Sequence, residues 1–222
     1  MTTKLNADFS QPVLLHSEKL EWQVSPMAGV ERRMLDRVGD EVARATSIVR
    51  YAPKSHFAPH THGGGEEFLV LEGVFQDEHG DYPAGTYIRN PPGTRHTPGS
   101  ESGCTIFVKL WQFDPADRAP VCLETAKLKP APGESVVLFE DERECVRLDC
   151  WAANTEFTLS APGGLELLML EGGASADGQA LEQFSWLRVP LNSNLLIKTG
   201  SQGASAWLKT GHLRWVNDFA IQ

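Results

Sequence analysis

Cysteine is scarce in this sequence, and positive charge is in deficit. The four cysteines, Cys104, Cys122, Cys145 and Cys150, form neither a CxxC pair nor a dense disulfide pattern. We therefore expect them to be buried, reduced thiols in strands. Lys and Arg number 20 against 29 Asp and Glu, which gives a formal net charge of −9. Because phosphate binding requires a surplus of basic residues, we expect no nucleic-acid partner.

Long hydrophobic runs are also missing. No stretch approaches the roughly 18 uninterrupted apolar residues of a membrane span, and residues 1–10 lack the apolar core of a secretory signal. We therefore expect a cytoplasmic protein with no membrane partner. The 222 residues are 41% hydrophobic and 22% charged, which is typical of a globular protein with one large or two ordinary domains.

Helix signals are weak, whereas strand signals recur along the whole chain. Short apolar or alternating runs lie between clusters of Gly, Pro, Asn and Asp, as in β-sandwiches and barrels. The clearest runs cover residues 46–51, 68–71, 105–108, 136–139 and 167–170. The one helix that we expect, a weak one, covers residues 29–36. The sequence predicts an all-β fold class.

Two parts of the chain resemble each other at an offset of 99 residues. Residues 64–73 and residues 163–172 are identical at seven of the ten positions, and Arg89 maps onto Arg188 at the same offset. Several matches in order at one offset indicate a duplicated domain. A Pro- and Ala-rich stretch with little strand pattern marks the border. The predicted domains are residues 1–115 and 116–222.

A group of metal-binding residue types lies in the first domain. His60 and His62 are two residues apart, so a strand would place both imidazoles on one face. Glycines 63–65 permit a sharp turn that returns Glu66 to the same interior. A Pro-Pro-Gly turn then delivers His96 onto a new strand. Three neutral imidazoles and one carboxylate suit a divalent ion. We predict one ion per chain, zinc first, with iron, manganese and nickel as alternatives.

The second domain lacks these ligands. At the repeat offset, their positions are taken by Leu159, Ala161, Leu165 and Leu195. An interior without an ion is better filled by small or apolar side chains, because an unpaired buried imidazole or carboxylate is costly. We predict that the second domain is structural, or that it offers an apolar pocket.

The spacing of these residues resembles the two-part motif of the cupin superfamily. The motif reads His60-x-His62-x3-Glu66-x6-Gly73, followed by Gly85-x5-Pro91-x-Gly93-x2-His96. The residues around it are similar to those of ChrR-like cupin domains, named after a zinc-dependent anti-sigma factor. The resemblance implies double-stranded β-helix (jelly-roll) barrels in tandem, a bicupin, and a homodimer. Lys54 and Ser100 depart from it, since the superfamily often has Gly and Asn there.

Two hypotheses about function follow. The resemblance implies a metal-binding sensor in transcriptional regulation or the oxidative-stress response, with a small molecule as ligand. Alternatively, the protein is a metal-dependent enzyme, a dioxygenase or hydrolase of a small organic molecule, because three His and one Glu leave an open coordination position. Whether it is an enzyme stays open at this point. Candidate pocket residues are Phe68, Tyr87 and Arg89.

A sigma factor is not an expected partner of this chain. In ChrR-type proteins the sigma-binding module precedes the cupin and carries a His/Cys zinc motif. Here no Cys precedes Cys104, and His16 is the one histidine among residues 1–20. We therefore expect no inhibition of a sigma factor by this chain alone.

Overall fold

The computed structural model describes residues 2–40 and 42–216, and within them the fold is all-β, as predicted. The strands are β1 (Lys4–Leu5), β2 (Val13–His16), β3 (Gln23–Val24), β4 (Val30–Gly39), β5 (Ala43–Tyr51), β6 (Ser55–His56), β7 (His60–Thr61), β8 (Glu66–Asp77), β9 (Gly80–Pro83), β10 (Thr86–Asn90), β11 (Arg95–His96), β12 (Gly99–Ser100), β13 (Cys104–Leu110), β14 (Val121–Glu124), β15 (Ser135–Glu140), β16 (Cys145–Trp151), β17 (Glu156–Ala161), β18 (Leu165–Ala176), β19 (Gln179–Leu181), β20 (Ser185–Val189) and β21 (Ser193–Thr210). Short 3₁₀ helices cover Ser17–Lys19, Thr125–Lys127 and His212–Trp215. In the described parts of the chain, no helix has the length and hydropathy needed to cross a membrane.

The chain folds into two compact units that do not follow the predicted border. Among the described residues, the first unit comprises 2–7 and 21–127, and the second comprises 8–20 and 128–216. The predicted border after residue 115 is therefore corrected: residues 116–127 belong to the first unit, and residues 8–20 belong to the second. The stretch after residue 115 does not act only as a linker, because β14 pairs with β10 of the first unit.

The first unit is an antiparallel sheet with a mixed apolar and polar interior. Its main path runs β1-β4-β5-β13-β8-β10-β14, and the short β7 and β11 pair with each other. Alternation along β8 directs Phe68 and Val70 into the interior, where Ile88 of β10 and Ile106 of β13 meet them. This apolar wall lies next to Glu66, which starts β8 on the same face.

The second unit has the same kind of sheet with an apolar interior. Its main path runs β15-β16-β21-β18-β20-β2. All four residues at the ligand positions of the repeat lie in one hydrophobic core cluster: Leu159, Ala161, Leu165 and Leu195. Their burial is what the sequence predicts for an interior that is filled by side chains.

The repeat in the sequence has a counterpart in the order of the strands. Strands β8 and β10 recur as β18 and β20 at an offset of 99. The strand that precedes each repeat (its leading strand), however, belongs to the unit that contains the other repeat: β2, before the first repeat, pairs with β20, and β14, before the second, pairs with β10. A hydroxyl follows each leading strand and caps a backbone carbonyl, from Ser17 to Phe184 at 2.7 Å and from Thr125 to Gly85 at 2.6 Å. The duplicated segment thus includes its leading strand.

Two expectations about local structure were wrong. The helix expected over residues 29–36 is replaced by β4, which pairs with β5 along its length. Long-range strand pairing outweighs a weak local helix preference here. The four cysteines are free and lie in strands, but only Cys104 is buried. Cys122 is exposed because β14 ends its sheet path.

Candidate metal centre

Two short paired strands and a turn position the ligand residues. In the β7–β11 pair, His60 lies directly opposite His96. Beyond β7, the backbone N–H of His62 donates to the Thr94 carbonyl at 2.9 Å, and its carbonyl accepts from Gly93 at 2.9 Å. These bonds continue the pairing, so the three imidazoles cluster with ring centroids 4.6–5.1 Å apart.

The three glycines between His62 and Glu66 serve two physical purposes. Only Gly65 has a positive φ, at +78°, which favours glycine at the turn. At Gly64, an added Cβ would lie 2.3 Å from Cδ2 of Trp111. At Gly63 it would lie 2.9 Å from Cζ2 of the same ring. The glycines therefore let the Trp111 ring pack directly on the turn that delivers Glu66.

The ligand atoms have the spacing that a metal ion requires. His62 Nε2 lies 3.2 Å from His96 Nε2. Oε2 of Glu66 lies 3.4 Å from the first nitrogen and 3.6 Å from the second. A triangle with these edges has a circumradius of about 2.0 Å, which matches metal–nitrogen and metal–oxygen distances of about 2.0–2.2 Å. With His60, all four ligand atoms lie within 4.8 Å of one another.

The electrostatics of the cluster favour a cation. Burial, together with the neighbouring His96 and His60, lowers the pKa of His62 to about 3. Burial also lowers the pKa of His96. The imidazoles of His62 and His96 are therefore neutral at physiological pH, as metal ligands must be. Burial raises the pKa of Glu66 to about 7, because the hydrogen bond from Asn90 offsets only part of the cost of desolvating the carboxylate.

Neighbouring polar groups orient the ligands. The Thr94 hydroxyl donates to the Pro91 carbonyl at 2.7 Å, and its oxygen lies 2.9 Å from Nδ1 of His62. Since this hydroxyl proton is already engaged, Nδ1–H of His62 is the donor, and the Nε2 lone pair faces the cluster. Nδ2 of Asn90 donates to Oε2 of Glu66 at 3.3 Å. Oδ2 of Asp77 lies 3.4 Å from Nδ1 of His96.

The predicted pocket residues divide between the two faces of the sheet. Phe68 faces the interior and packs on Phe75, with ring centroids 4.7 Å apart, and Phe75 lies 5.7 Å from His96. Tyr87 and Arg89 alternate with the interior residue Ile88 and face the other way. Their prediction as pocket residues is therefore wrong.

Both of these residues have partners on the outer face. The Tyr87 hydroxyl donates to Glu67 at 2.6 Å. Nη1 of Arg89 lies 2.8 Å from Asp117, and its guanidinium covers the Phe113 ring at 4.3 Å. Buried polar side chains with such partners stabilise the sheet.

Sequence reasoning missed the polar residues around the ligands. Asp77, Asn90 and Thr94 contact ligand residues, and the Tyr82 hydroxyl donates to Asp77. None of the four has a spacing signal of its own, because the hairpin and the turns bring them together. A signal for three of them does exist in the repeat: the corresponding residues in the second unit, Ala176, Leu181 and Val189, are apolar.

Comparison with known proteins agrees with the predicted resemblance. Residues 10–114 match the family model of the ChrR cupin-like domain. A search of curated proteins gave no match.

Several solved structures share the fold over most of the chain. A candidate dioxygenase from Nostoc punctiforme superposes with a TM-score of 0.73 at 17% identity, covering 96% of this chain and 88% of that one. The bacterial pirin YhhW from Escherichia coli, in complex with nickel(II), gives 0.67 at 11% identity, covering 90% and 99%. Oxalate decarboxylase from Bacillus subtilis gives 0.61 at 12% identity, covering 89% and 75%. These likenesses confirm the jelly-roll fold class.

Proposed function

We propose that this chain, whose residues 10–114 match the family model of the ChrR cupin-like domain, binds one divalent metal ion and senses a small molecule at that ion. The observation that carries the proposal is the convergence of His60, His62, Glu66 and His96 within 4.8 Å. Zinc is the ion that we assign first, because three imidazoles and a carboxylate suit it. Iron, manganese and nickel accept the same donors.

The protein's own groups prepare the site for its ion. His62 contributes Nε2, because its Nδ1 is engaged by Thr94. Glu66 contributes a carboxylate that gives up its proton when a cation is bound, since the cation supplies the missing counter-charge. When bound, the ion would supply a Lewis acid able to polarise an oxygen or nitrogen atom of a small molecule. His60 lies on the solvent side of the cluster, where such a molecule has access.

One finding supports a sensor: the matched family model is that of a domain named after ChrR. Thr94 and Asn90 contact the ligands and hold them by hydrogen bonds. These hydrogen bonds orient the ligands, a task that a receptor and an enzyme share. The proposal includes no direct inhibition of a sigma factor.

A metal-dependent enzyme is the second candidate. It is favoured by the fold shared with a candidate dioxygenase over 96% of this chain, and by the exposure of the cluster at His60. Fold alone does not assign chemistry, because cupin-like barrels carry many activities. The second candidate predicts turnover, whereas the first predicts binding without turnover.

One experiment separates the two candidates. The chain is loaded in turn with Zn²⁺, Fe²⁺, Mn²⁺ and Ni²⁺ and is offered a panel of small carbonyl compounds and carboxylates. Melting temperature reports binding, and an oxygen electrode with chromatography of the products reports turnover. Metal-dependent thermal shifts without loss of any compound support the sensor. Catalytic consumption of a compound that is abolished in His62→Ala would refute the sensor and support the enzyme. Failure of every metal to bind would refute both.

A further inference from the structure

The two repeats provide an internal comparison within one chain. Some buried polar residues occur in both units: Glu67 and Arg89 of the first unit recur as Glu166 and Arg188 of the second. The strand registers agree with this mapping, since Arg89 pairs with Glu67 and Arg188 pairs with Glu166. Because the second unit has no metal ligands at the repeat positions, residues shared in this way serve the sheet rather than the metal site.

A second group of positions changes together with the ligands. Asp77 corresponds to Ala176, and Tyr82 corresponds to Leu181. The hairpins that carry them have the same register, because Asp77 pairs with Gly80 in the first unit and Ala176 with Gln179 in the second. The hairpin is thus retained while its polar side chains are replaced. This pattern is expected of residues that serve the ion and not the fold.

The geometry of Asp77 directs one of its oxygens to His96. Its Oδ1 accepts two hydrogen bonds, from the backbone N–H of His79 at 2.8 Å and from the Tyr82 hydroxyl at 3.0 Å. Its Oδ2 lies 3.4 Å from Nδ1 of His96. Both side chains are nearly inaccessible, at 7% exposure for Asp77 and 4% for His96. A carboxylate held in this way fixes the orientation of the imidazole.

We propose that Asp77, held in place by Tyr82, is a positioning residue that turns Nε2 of His96 toward the metal ion and raises the affinity for a divalent cation. The proposal rests on the metal-binding function proposed above. A negative charge behind an imidazole increases its basicity as a ligand, and such partners are typically worth about 10–100-fold in metal affinity. The Tyr82 hydroxyl acts one step further away, by fixing the carboxylate, so its effect is smaller and in the same direction.

The test compares Zn²⁺ affinities, measured by competition with a chromogenic chelator, in the full chain and four variants. Asp77→Ala introduces the residue found at the same position of the second unit. Asp77→Asn keeps the shape and removes the charge, and Tyr82→Phe removes only the hydroxyl. Asp81→Asn is the matched control, because Asp81 is an exposed carboxylate of the same hairpin that contacts Gln76. Nitrogen chemical shifts of His96 in the metal-free chain report its tautomer without any metal.

The proposal predicts graded losses of affinity. Asp77→Ala should lose about 10–100-fold, Asp77→Asn and Tyr82→Phe less, and Asp81→Asn nothing. In Asp77→Ala the proton of His96 should shift toward Nε2. Wild-type affinity and an unchanged tautomer in folded Asp77→Ala would overturn the proposal while leaving the metal site intact. If Asp77→Ala does not fold, unchanged affinity in Tyr82→Phe together with Asp77→Asn overturns it. Absence of Zn²⁺ binding by the wild-type chain refutes instead the function on which it rests.

Discussion

Replacing Gly64 by alanine tests whether the turn before Glu66 depends on close packing. The new Cβ would lie 2.3, 2.4 and 2.6 Å from Cδ2, Cε3 and Cγ of Trp111. Carbon atoms in contact are normally about 3.5–4.0 Å apart, so the ring or the turn must move by more than about 1 Å. The ring cannot move freely, because the Trp111 backbone donates to the Gly65 carbonyl at 3.1 Å.

We expect this change to lower the free energy of unfolding by about 2–3 kcal/mol. Overpacking of a well-packed site typically costs about 1–3 kcal/mol, and a rigid fused ring places the cost at the upper end. Because Gly64 lies two residues before Glu66, the shift should also weaken Zn²⁺ binding. Urea unfolding of the metal-free chain measures the first effect, and chelator competition measures the second.

Gly173→Ala and the removal of the Trp111 ring serve as controls for Gly64→Ala. Gly173 has no atom within 4 Å of an added Cβ, so Gly173→Ala should change stability by less than about 0.5 kcal/mol. When Trp111→Gly has already removed the ring, adding Gly64→Ala should cost little further stability. The double variant should therefore be almost as stable as Trp111→Gly alone, as expected of directly coupled residues. Equal effects of Gly64→Ala and Gly173→Ala would refute the packing argument.

Two further predictions concern backbone strain and protons. Lys54 has φ +60°, so Lys54→Gly should stabilise the chain by about 0.5–1 kcal/mol. This is the relief of left-handed strain minus the cost of the greater entropy of the unfolded chain. Urea midpoints measure the gain, and Lys54→Ala should not show it. The second prediction concerns Glu66, whose pKa of about 7 in the metal-free chain lies above the unfolded value of about 4.3. Below pH 7 the metal-free site therefore holds a proton on Glu66, which a metal ion must displace. Zn²⁺ binding should release more protons per ion at pH 5.5 than at pH 8.5, because Glu66 holds its proton only at the lower pH, whereas His62, with a pKa of about 3, is neutral at both. Metal-dependent stabilisation is then complete above pH 7 and declines as the pH falls. Calorimetry in buffers of different ionisation enthalpy counts these protons, and equal release at both pH values would contradict the assignment.

The cluster could be predicted from the sequence because its spacing has a direct physical meaning. Two histidines two residues apart share a strand face, and a glycine turn returns Glu66 to that face. Lys54 could be recognised as unusual by the resemblance to cupins, and its positive φ explains why glycine is common there. Its counterpart in the second unit is Asn154, with φ +53°, a residue type that tolerates this conformation.

Other features depend on contacts between distant segments and were missed. The face of Arg89 follows from the register of β10 on β8, which alternation within β10 alone does not determine. Asp77 reaches His96 only because the β8–β9 hairpin folds back over the interior. The exchange of leading strands was also missed, although residues 13–20 and 121–128 share a pattern of Val, Leu, hydroxyl and Lys-Leu positions. That similarity occurs at an offset of 108 instead of 99, so it lies outside the main repeat.

We propose one metal site per chain, in the first unit, built by His60, His62, Glu66 and His96. Elemental analysis of the metal-loaded and desalted chain tests it most directly, with His62→Ala as the comparison. We predict one divalent ion per chain in the wild type and almost none in His62→Ala, since losing a ligand should cost more than the roughly 10–100-fold typical of an orienting partner. Two ions per chain, no ion after loading, or an undiminished ion in His62→Ala would contradict the claim.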